Sequence, residues 1–245
     1  VVLGGTTGIG HALALALAQA GADVVATGRR MDHVERTATE VECAGRRTVR
    51  AVADVTDRAS LERLLTTVLS ALGKVDILVN CAGKLKRGPT LDMSETDWSE
   101  VIETNLTGTL RGCQVFGRHM LERGYGRIVN IASLNSFVAL YEVAAYGASK
   151  AAVLALTRSL AVEWGAKGVC VNAIAPGIFR THLNEQLLDG TSRGQELLLR
   201  TPMKRFGTVE EVAGAAVFLA SEAASFVNGQ VIVVDGGFLA SGVNQ

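Results

Sequence analysis

Tyr146 and Lys150 stand four residues apart, at the end of a stretch that begins at Ser133. If that end is helical, the two side chains share a face, one turn apart. Free tyrosine titrates near pH ~10, and a nearby ammonium favours the phenolate. Such a pair can give a proton to a carbonyl oxygen or take one from an alcohol. Ser133 closes an apolar run, Ile128 to Ala132, and places a hydroxyl ahead of the pair. Two common residues at helical spacing also read as an ordinary solvated helix face. The choice between the two readings rests on what else the chain carries.

The chain opens on a short apolar strand, Val1 to Gly4, and then the turn Gly4-Gly5-Thr6-Thr7-Gly8-Ile9-Gly10. An alanine- and leucine-rich segment from His11 to Ala20 reads as a helix, with Gly21 as its stop. Strand, glycine-rich turn and helix form the layout that binds a dinucleotide, because glycines admit a pyrophosphate close to the backbone. The helix start adds unpaired N–H groups and a positive dipole end. The spacing here is Gly-x-x-x-Gly-x-Gly, and a tight turn with no ligand is the plainer alternative. The second strand, Ala22 to Thr27, runs into Gly28-Arg29-Arg30, with no carboxylate before Asp32. At that point a carboxylate would bind a ribose 2′-hydroxyl, whereas an arginine would accept a 2′-phosphate. NADP(H) is therefore expected over NAD(H). Arginines that are merely solvated, or that stack on adenine, are the other reading.

Further strands are expected at Thr48 to Ala53, Val75 to Val79, Arg127 to Ala132, Gly168 to Ile174 and Val231 to Val234. Helices are expected at Met31 to Ala44, Asp57 to Leu72, Ala145 to Trp164 and Thr208 to Ala220, with one long helix opening at Ser94. Asp54 is placed to touch the adenine amino group or to cap a helix. The small residues of Asn80-Cys81-Ala82-Gly83 would let a flat ring lie close. Asn105 sits among apolar residues of the long helix and needs buried partners. Ile178 to Phe206 lacks clean periodicity and reads as a substrate flap of short helices. Strands alternating with helices over this length predict an α/β fold. The expected form is Rossmann-type, doubly wound and mostly parallel, with seven strands and helices on both faces. Residues 1–245 form one dinucleotide-binding oxidoreductase domain in this reading, with the flap near 178–206.

Composition sets the outer bounds. The chain has 245 residues, 48% of them hydrophobic, and a formal net charge of zero. That supports one sizeable core and gives no electrostatic pull toward nucleic acid or a membrane. Cys43, Cys81, Cys113 and Cys170 form no Cys-x-x-Cys pair. Reduced thiols in a cytoplasmic protein are expected, with no metal site. No signal peptide is visible, and the start within a strand suggests that further residues precede Val1.

Taken together, these motifs resemble the compact branch of the short-chain dehydrogenase/reductase family over essentially the whole chain. The resemblance rests on Gly4-x-x-x-Gly8-x-Gly10, Asp54, Asn80-Cys81-Ala82-Gly83, Asn105, Ser133, Tyr146-x-x-x-Lys150 and Pro176-Gly177-x-x-x-Thr181. It implies an NAD(P)-dependent oxidoreductase acting on CH–OH groups, with Asn105, Ser133, Tyr146 and Lys150 as a catalytic tetrad. Tyr146 would be the general acid/base and Ser133 would hold the substrate oxygen. Lys150 would hold the nicotinamide ribose and lower the tyrosine pKa, and Asn105 would anchor a water leading to Lys150. The implied cofactor contacts are Gly4, Thr6, Thr7, Gly8, Ile9, Gly10, Arg29, Arg30, Asp54, Val55, Asn80, Ala82, Gly83, Tyr146, Lys150, Pro176, Gly177, Ile178 and Thr181. A homotetramer is implied as well. Leu3 and Gly5 depart from the usual threonine or serine and alanine of the turn.

Leu134 to Val143 and the flap would line the substrate pocket, with Lys84, Lys86 and Arg87 near its mouth. Basic residues there suit a carboxylate or phosphate, or are simply solvated. The overall pattern is similar to sugar-acid and polyol dehydrogenases of the gluconate 5-dehydrogenase kind, and to 3-oxoacyl-carrier-protein reductases. A nucleotide-sensing protein without turnover, and an epimerase or dehydratase, are the remaining alternatives.

Overall fold

The computed structural model describes residues 1–181 and 185–242. Its centre is a six-stranded sheet built from β1 (Val2–Leu3), β2 (Ala26–Thr27), β3 (Ile77–Asn80), β4 (Gly126–Ile131), β5 (Val169–Pro176) and β6 (Val231–Val234). The order is β2-β1-β3-β4-β5-β6, and every pair is parallel. The order reverses direction at β1, where the chain goes outward to β2 and then returns to β3. In such sheets that reversal opens a crevice at the strands' carboxyl ends.

Side chains alternate along each strand, so neighbours serve opposite faces. Val2, Val79 and Val129 pack with Leu13 and Leu17 of α1 (Gly8–Gln19) and with Val212 and Leu219 of α9 (Val209–Ala220). Leu3, Leu78 and Ile128 face the other way. They meet Leu61 and Leu64 of α3 (Arg58–Leu72) and Phe116 of α5 (Gly108–Arg123). Helices thus cover both faces, which is why the strands are mostly apolar on both sides and their few polar residues, such as Asn80 and Asn130, are buried and hydrogen-bonded to each other.

The sheet has six strands where seven were expected, because Thr48 to Ala53 forms no strand. That segment runs beside β2 and touches it at its ends, through Val24 N to Arg47 O at 3.1 Å and Ala53 N to Gly28 O at 3.0 Å. Between them the Thr27 hydroxyl, rather than a backbone N–H, donates to Ala51 O at 2.7 Å. A side chain has taken a carbonyl that a ladder would use, so the apolar pattern is kept and the ladder is not.

The long helix opened by Ser94 is interrupted. It comprises α4 (Glu95–Ile102), a π-helical turn (Glu103–Thr107) and α5. Ser94 caps it by accepting from Asp97 N at 3.0 Å. The flap holds α7 (Glu185–Leu188) and α8 (Ser192–Arg200), and residues 182–184 lie outside the described ones. Leu188 and Leu197 pack with Leu134 and Phe238, which anchors the flap to the loop after β4 and to the segment after β6. The two remaining helices are α2 (Met31–Cys43) and α6 (Ala144–Trp164). Among the described residues no helix is long and apolar enough to cross a membrane.

Candidate active site

β4 delivers Ser133 two residues beyond its end, in extended backbone and buried. Its hydroxyl accepts from Asn135 N at 3.2 Å and stands next to the Tyr146 phenol. Tyr146 enters from the first turn of α6, and Lys150 follows one turn later, 4% exposed. The Lys150 ammonium donates to Ile131 O at 2.6 Å and lies 5.8 Å from the centre of the Tyr146 ring.

Asn105 comes from the π-helical turn and is fully buried. Its Oδ1 accepts from Lys84 N at 2.7 Å, and its Nδ2 donates to Lys84 O at 2.9 Å and to Ser149 Oγ at 3.0 Å. Ser149 Oγ donates in turn to Tyr146 O at 2.7 Å. Gly83 lies between the two groups: a methyl there would stand 3.7 Å from Asn105 Oδ1 and 3.9 Å from Lys150 Nζ. The four candidate catalytic side chains therefore converge at the carboxyl ends of β3 and β4. Ser149 links two of them and was not anticipated. Its spacing from Tyr146, three residues along a helix, was the available signal.

Burial sets the electrostatics here. It pushes the Lys150 ammonium down to about 8 and the neighbouring Cys81 thiol up to about 11. Burial also holds Tyr146 above the usual tyrosine range, and the adjacent Ser133 hydroxyl pulls it back. The Lys150 Nζ is turned to the Ile131 carbonyl and lies over the ring face.

The glycine turn forms a cradle that side chains would fill. A methyl on Gly10 would stand 2.1 Å from Gly4 O, and one on Gly4, at φ +75°, would stand 2.6 Å from Ala82 N. Gly8 faces Thr181 across a gap, 3.8 Å from the position of its missing Cβ to the threonine methyl. α1 has no acidic residue in its first turn and Thr7 makes no side-chain cap, so its first N–H groups lack a side-chain acceptor. Thr6 is buried, Thr7 exposed and Ile9 half-buried. The geometry fits a dinucleotide pyrophosphate at that helix start.

Other predicted contacts line the same edge. Gly177 N donates to Val234 O at 2.8 Å, which fixes the turn after Pro176, and Ile178 O accepts from Gly207 N at 3.0 Å. Val55 is buried against Gly108. Asp54 Oδ1 accepts from Thr56 N at 2.9 Å and Thr56 Oγ1 at 2.8 Å, while Asp57 caps α3. Asn80 turns inward, donating to Asn130 Oδ1 at 2.8 Å. Arg29 is exposed, and Arg30 approaches His33 Nδ1 at 3.2 Å.

At the mouth, Lys84 pairs with Glu100, Lys86 with Asp97 at 2.6 Å and Arg87 with Glu142 at 2.8 Å. Glu142 holds φ +65°, and Arg193 of α8 donates to the adjoining Tyr141 O at 3.2 Å. A cavity behind the flap is lined by Leu140, Tyr141, Arg193, Leu197 and Phe238, and by none of the four catalytic candidates.

Residues 4–239 match the sequence family described as Enoyl-(Acyl carrier protein) reductase. Gluconate 5-dehydrogenase of Gluconobacter oxydans is 42% identical over 241 residues, which is 98% of this chain and 94% of that one. The chain belongs to the short-chain dehydrogenase/reductase family. D-threitol dehydrogenase of Mycolicibacterium smegmatis, 41% identical, covers 97% of this chain and 91% of its own length. A crystal structure of a gluconate 5-dehydrogenase from Burkholderia cenocepacia, in complex with NADP and tartrate, superposes with a TM-score of 0.94. It is 39% identical and covers 98% of this chain and 95% of that one. The short-chain dehydrogenase/reductase fold is thus matched end to end, and the glycine cradle, Ser133 and Tyr146-x-x-x-Lys150 sit on one edge of it.

Proposed function

We propose that this chain is an NADP(H)-dependent oxidoreductase that interconverts a secondary alcohol of a sugar acid and the corresponding ketone. The observation that carries the reading is the meeting of the Ser133 hydroxyl and the Tyr146 phenol at the carboxyl end of β4, beside a buried lysine. Bound NADP(H) supplies the hydride, or accepts it, at the substrate carbon. Tyr146 takes the hydroxyl proton in oxidation and returns it to the carbonyl oxygen in reduction. Ser133 steadies that oxygen. Lys150 holds the nicotinamide ribose, and Asn105 anchors a water that connects it to solvent. Thr181 and Ile178 hold the nicotinamide end, Asp54 and Val55 the adenine, and Arg29 and Arg30 the 2′-phosphate. The NADP-bound relative of similar fold supports the cofactor choice.

A polyol is the second reading. It is favoured by the pairing of Lys84, Lys86 and Arg87 with carboxylates, which leaves little positive charge at the mouth for an acid. The working unit in this proposal is one domain, residues 1–245, with a flap near 178–206. It acts in the cytoplasm, which the four free cysteines support. A homotetramer is supported by apolar side chains left exposed on α6 and α9, Val162 and Phe218.

The test is turnover of D-gluconate, D-threitol and a 3-oxoacyl thioester with NADP(H) and NAD(H). Preference for gluconate with NADP supports the proposal, and preference for threitol the second reading. Activity confined to the thioester would replace both with a carrier-protein reductase. Tight cofactor binding without turnover on any compound would point to a nucleotide sensor.

A further inference from the structure

We infer that Arg36, on α2, is a third guanidinium of the site that receives the cofactor's 2′-phosphate, an inference that rests on the NADP reading. The sequence motif reaches only Arg29 and Arg30, in the loop between β2 and α2. The fold brings two more groups to that corner. Thr6, from the glycine turn, backs onto Gly28: a methyl on Gly28 would stand 2.8 Å from Thr6 Oγ1. Gly28 must therefore lack a side chain for the turn and the arginine loop to meet. Arg36 then reaches across from α2, and its Nη2 donates to Thr6 O at 3.3 Å.

That contact is long and its acceptor is an uncharged carbonyl, which makes it a weak use of a guanidinium. The nearby carboxylate, Glu40, is 3.9 Å from Arg36 Nε, and its other oxygen is 2.6 Å from His11 Nε2. The Arg36 side chain is 57% exposed, so it can turn on its stem toward an arriving anion. Arg30 approaches an imidazole nitrogen rather than a carboxylate. Arg29 and Arg30 follow Gly28 directly and Arg36 reaches Thr6, so three arginines stand at the corner where the glycine turn meets Gly28. A phosphate dianion offers three acceptor oxygens to such a set, and an arginine fork binds it with two parallel bonds. A 2′-hydroxyl offers neither the charge nor the geometry. Arg36 therefore contributes to the choice of NADP over NAD as well as tethering the turn.

Calorimetric titration with adenosine 2′,5′-bisphosphate and with 5′-AMP, at one salt concentration, isolates the extra phosphate. Wild type should bind the bisphosphate more tightly. Arg36→Ala should weaken the bisphosphate roughly tenfold and leave 5′-AMP within about twofold, since only the added charge-assisted bonds are lost. Arg36→Lys, which keeps the charge without the fork, should fall between. Equal weakening of both ligands would make Arg36 a prop for the turn and overturn the inference, as would no change in either. If wild type itself does not distinguish the two ligands, the NADP reading fails and this inference with it. Discrimination in wild type that survives in Arg36→Ala removes the inference alone.

Discussion

Lys150 is fastened to Ile131: its ammonium donates to that carbonyl at 2.6 Å, and the residue is only 4% exposed. The contact holds a positive charge at the end of β4, where the crevice opens. It does not fully compensate the burial, which lowers the lysine to about 8.

Lys150→Met should therefore raise the melting temperature at neutral pH. The shift from 10.5 to about 8 corresponds to a cost on the order of 3 kcal/mol, against ~1 kcal/mol for the lost hydrogen bond. Below pH 8 both states of wild type are protonated and the full cost applies. Between pH 8 and 10.5 the native side chain gives up a proton that the unfolded chain retains, so wild type gains stability as pH rises. The advantage of the variant should shrink through that window. Thermal melts across it decide the matter, and a constant difference would refute the assignment.

Tyr146→Phe removes the acid/base and leaves the packing. Turnover should fall by about two to four powers of ten, with melting temperature close to wild type. Near-normal steady-state rates in that variant would sink the mechanism.

Ser133→Ala should move the pH profile as well as lower the rate. Burial holds Tyr146 above the usual tyrosine range and the adjacent Ser133 hydroxyl draws it down. Alcohol oxidation needs the phenolate, so its rate should climb with pH in the alkaline range. Without the hydroxyl that climb should begin at higher pH. A profile of kcat/KM that keeps its midpoint in the variant would show that Ser133 does not tune the phenol.

Two glycines of the same residue type should respond in opposite ways. Gly10→Ala places a methyl 2.1 Å from Gly4 O, so the turn must distort. Dinucleotide binding should be lost and the melting temperature lowered. Gly214, on the exposed side of α9, has nothing within 4 Å of its missing Cβ. Alanine there should stabilise by ~0.5–1 kcal/mol, because glycine loses more backbone freedom on entering a helix. Thermal melts and NADPH titration of both variants test the contrast.

The parts of the fold that a local pattern encodes were legible in the sequence. β3, β4 and β5 are predominantly apolar runs, and α3 has a regular stripe with Asp57 as its cap. The glycine cradle was legible for the same reason, since each glycine answers a steric demand within a few residues. Thr48 to Ala53 misled because it has strand composition but loses Ala51 O to the Thr27 hydroxyl. That competition involves residues 24 positions apart. Contacts across longer separations were equally hidden: Arg87 with Glu142, 55 positions away, and Arg36 with Thr6, 30 away. Residue types suggested charges near the mouth, but only the fold revealed that each has a partner.

The π-helical turn at Asn105 has a consequence for descent within the family. Five residues, Glu103–Thr107, carry the widened turn that lets this asparagine bind the backbone of Lys84 at both its N–H and its carbonyl. Deleting one polar residue beside Asn105 in that turn would allow an ordinary helix from Glu95 to Arg123. The asparagine would still be present in the text of such a chain, but turned away from its partner. A lineage could thus lose this part of the site through a single codon deletion while every motif letter remained, and a comparison by residue identity alone would miss the loss.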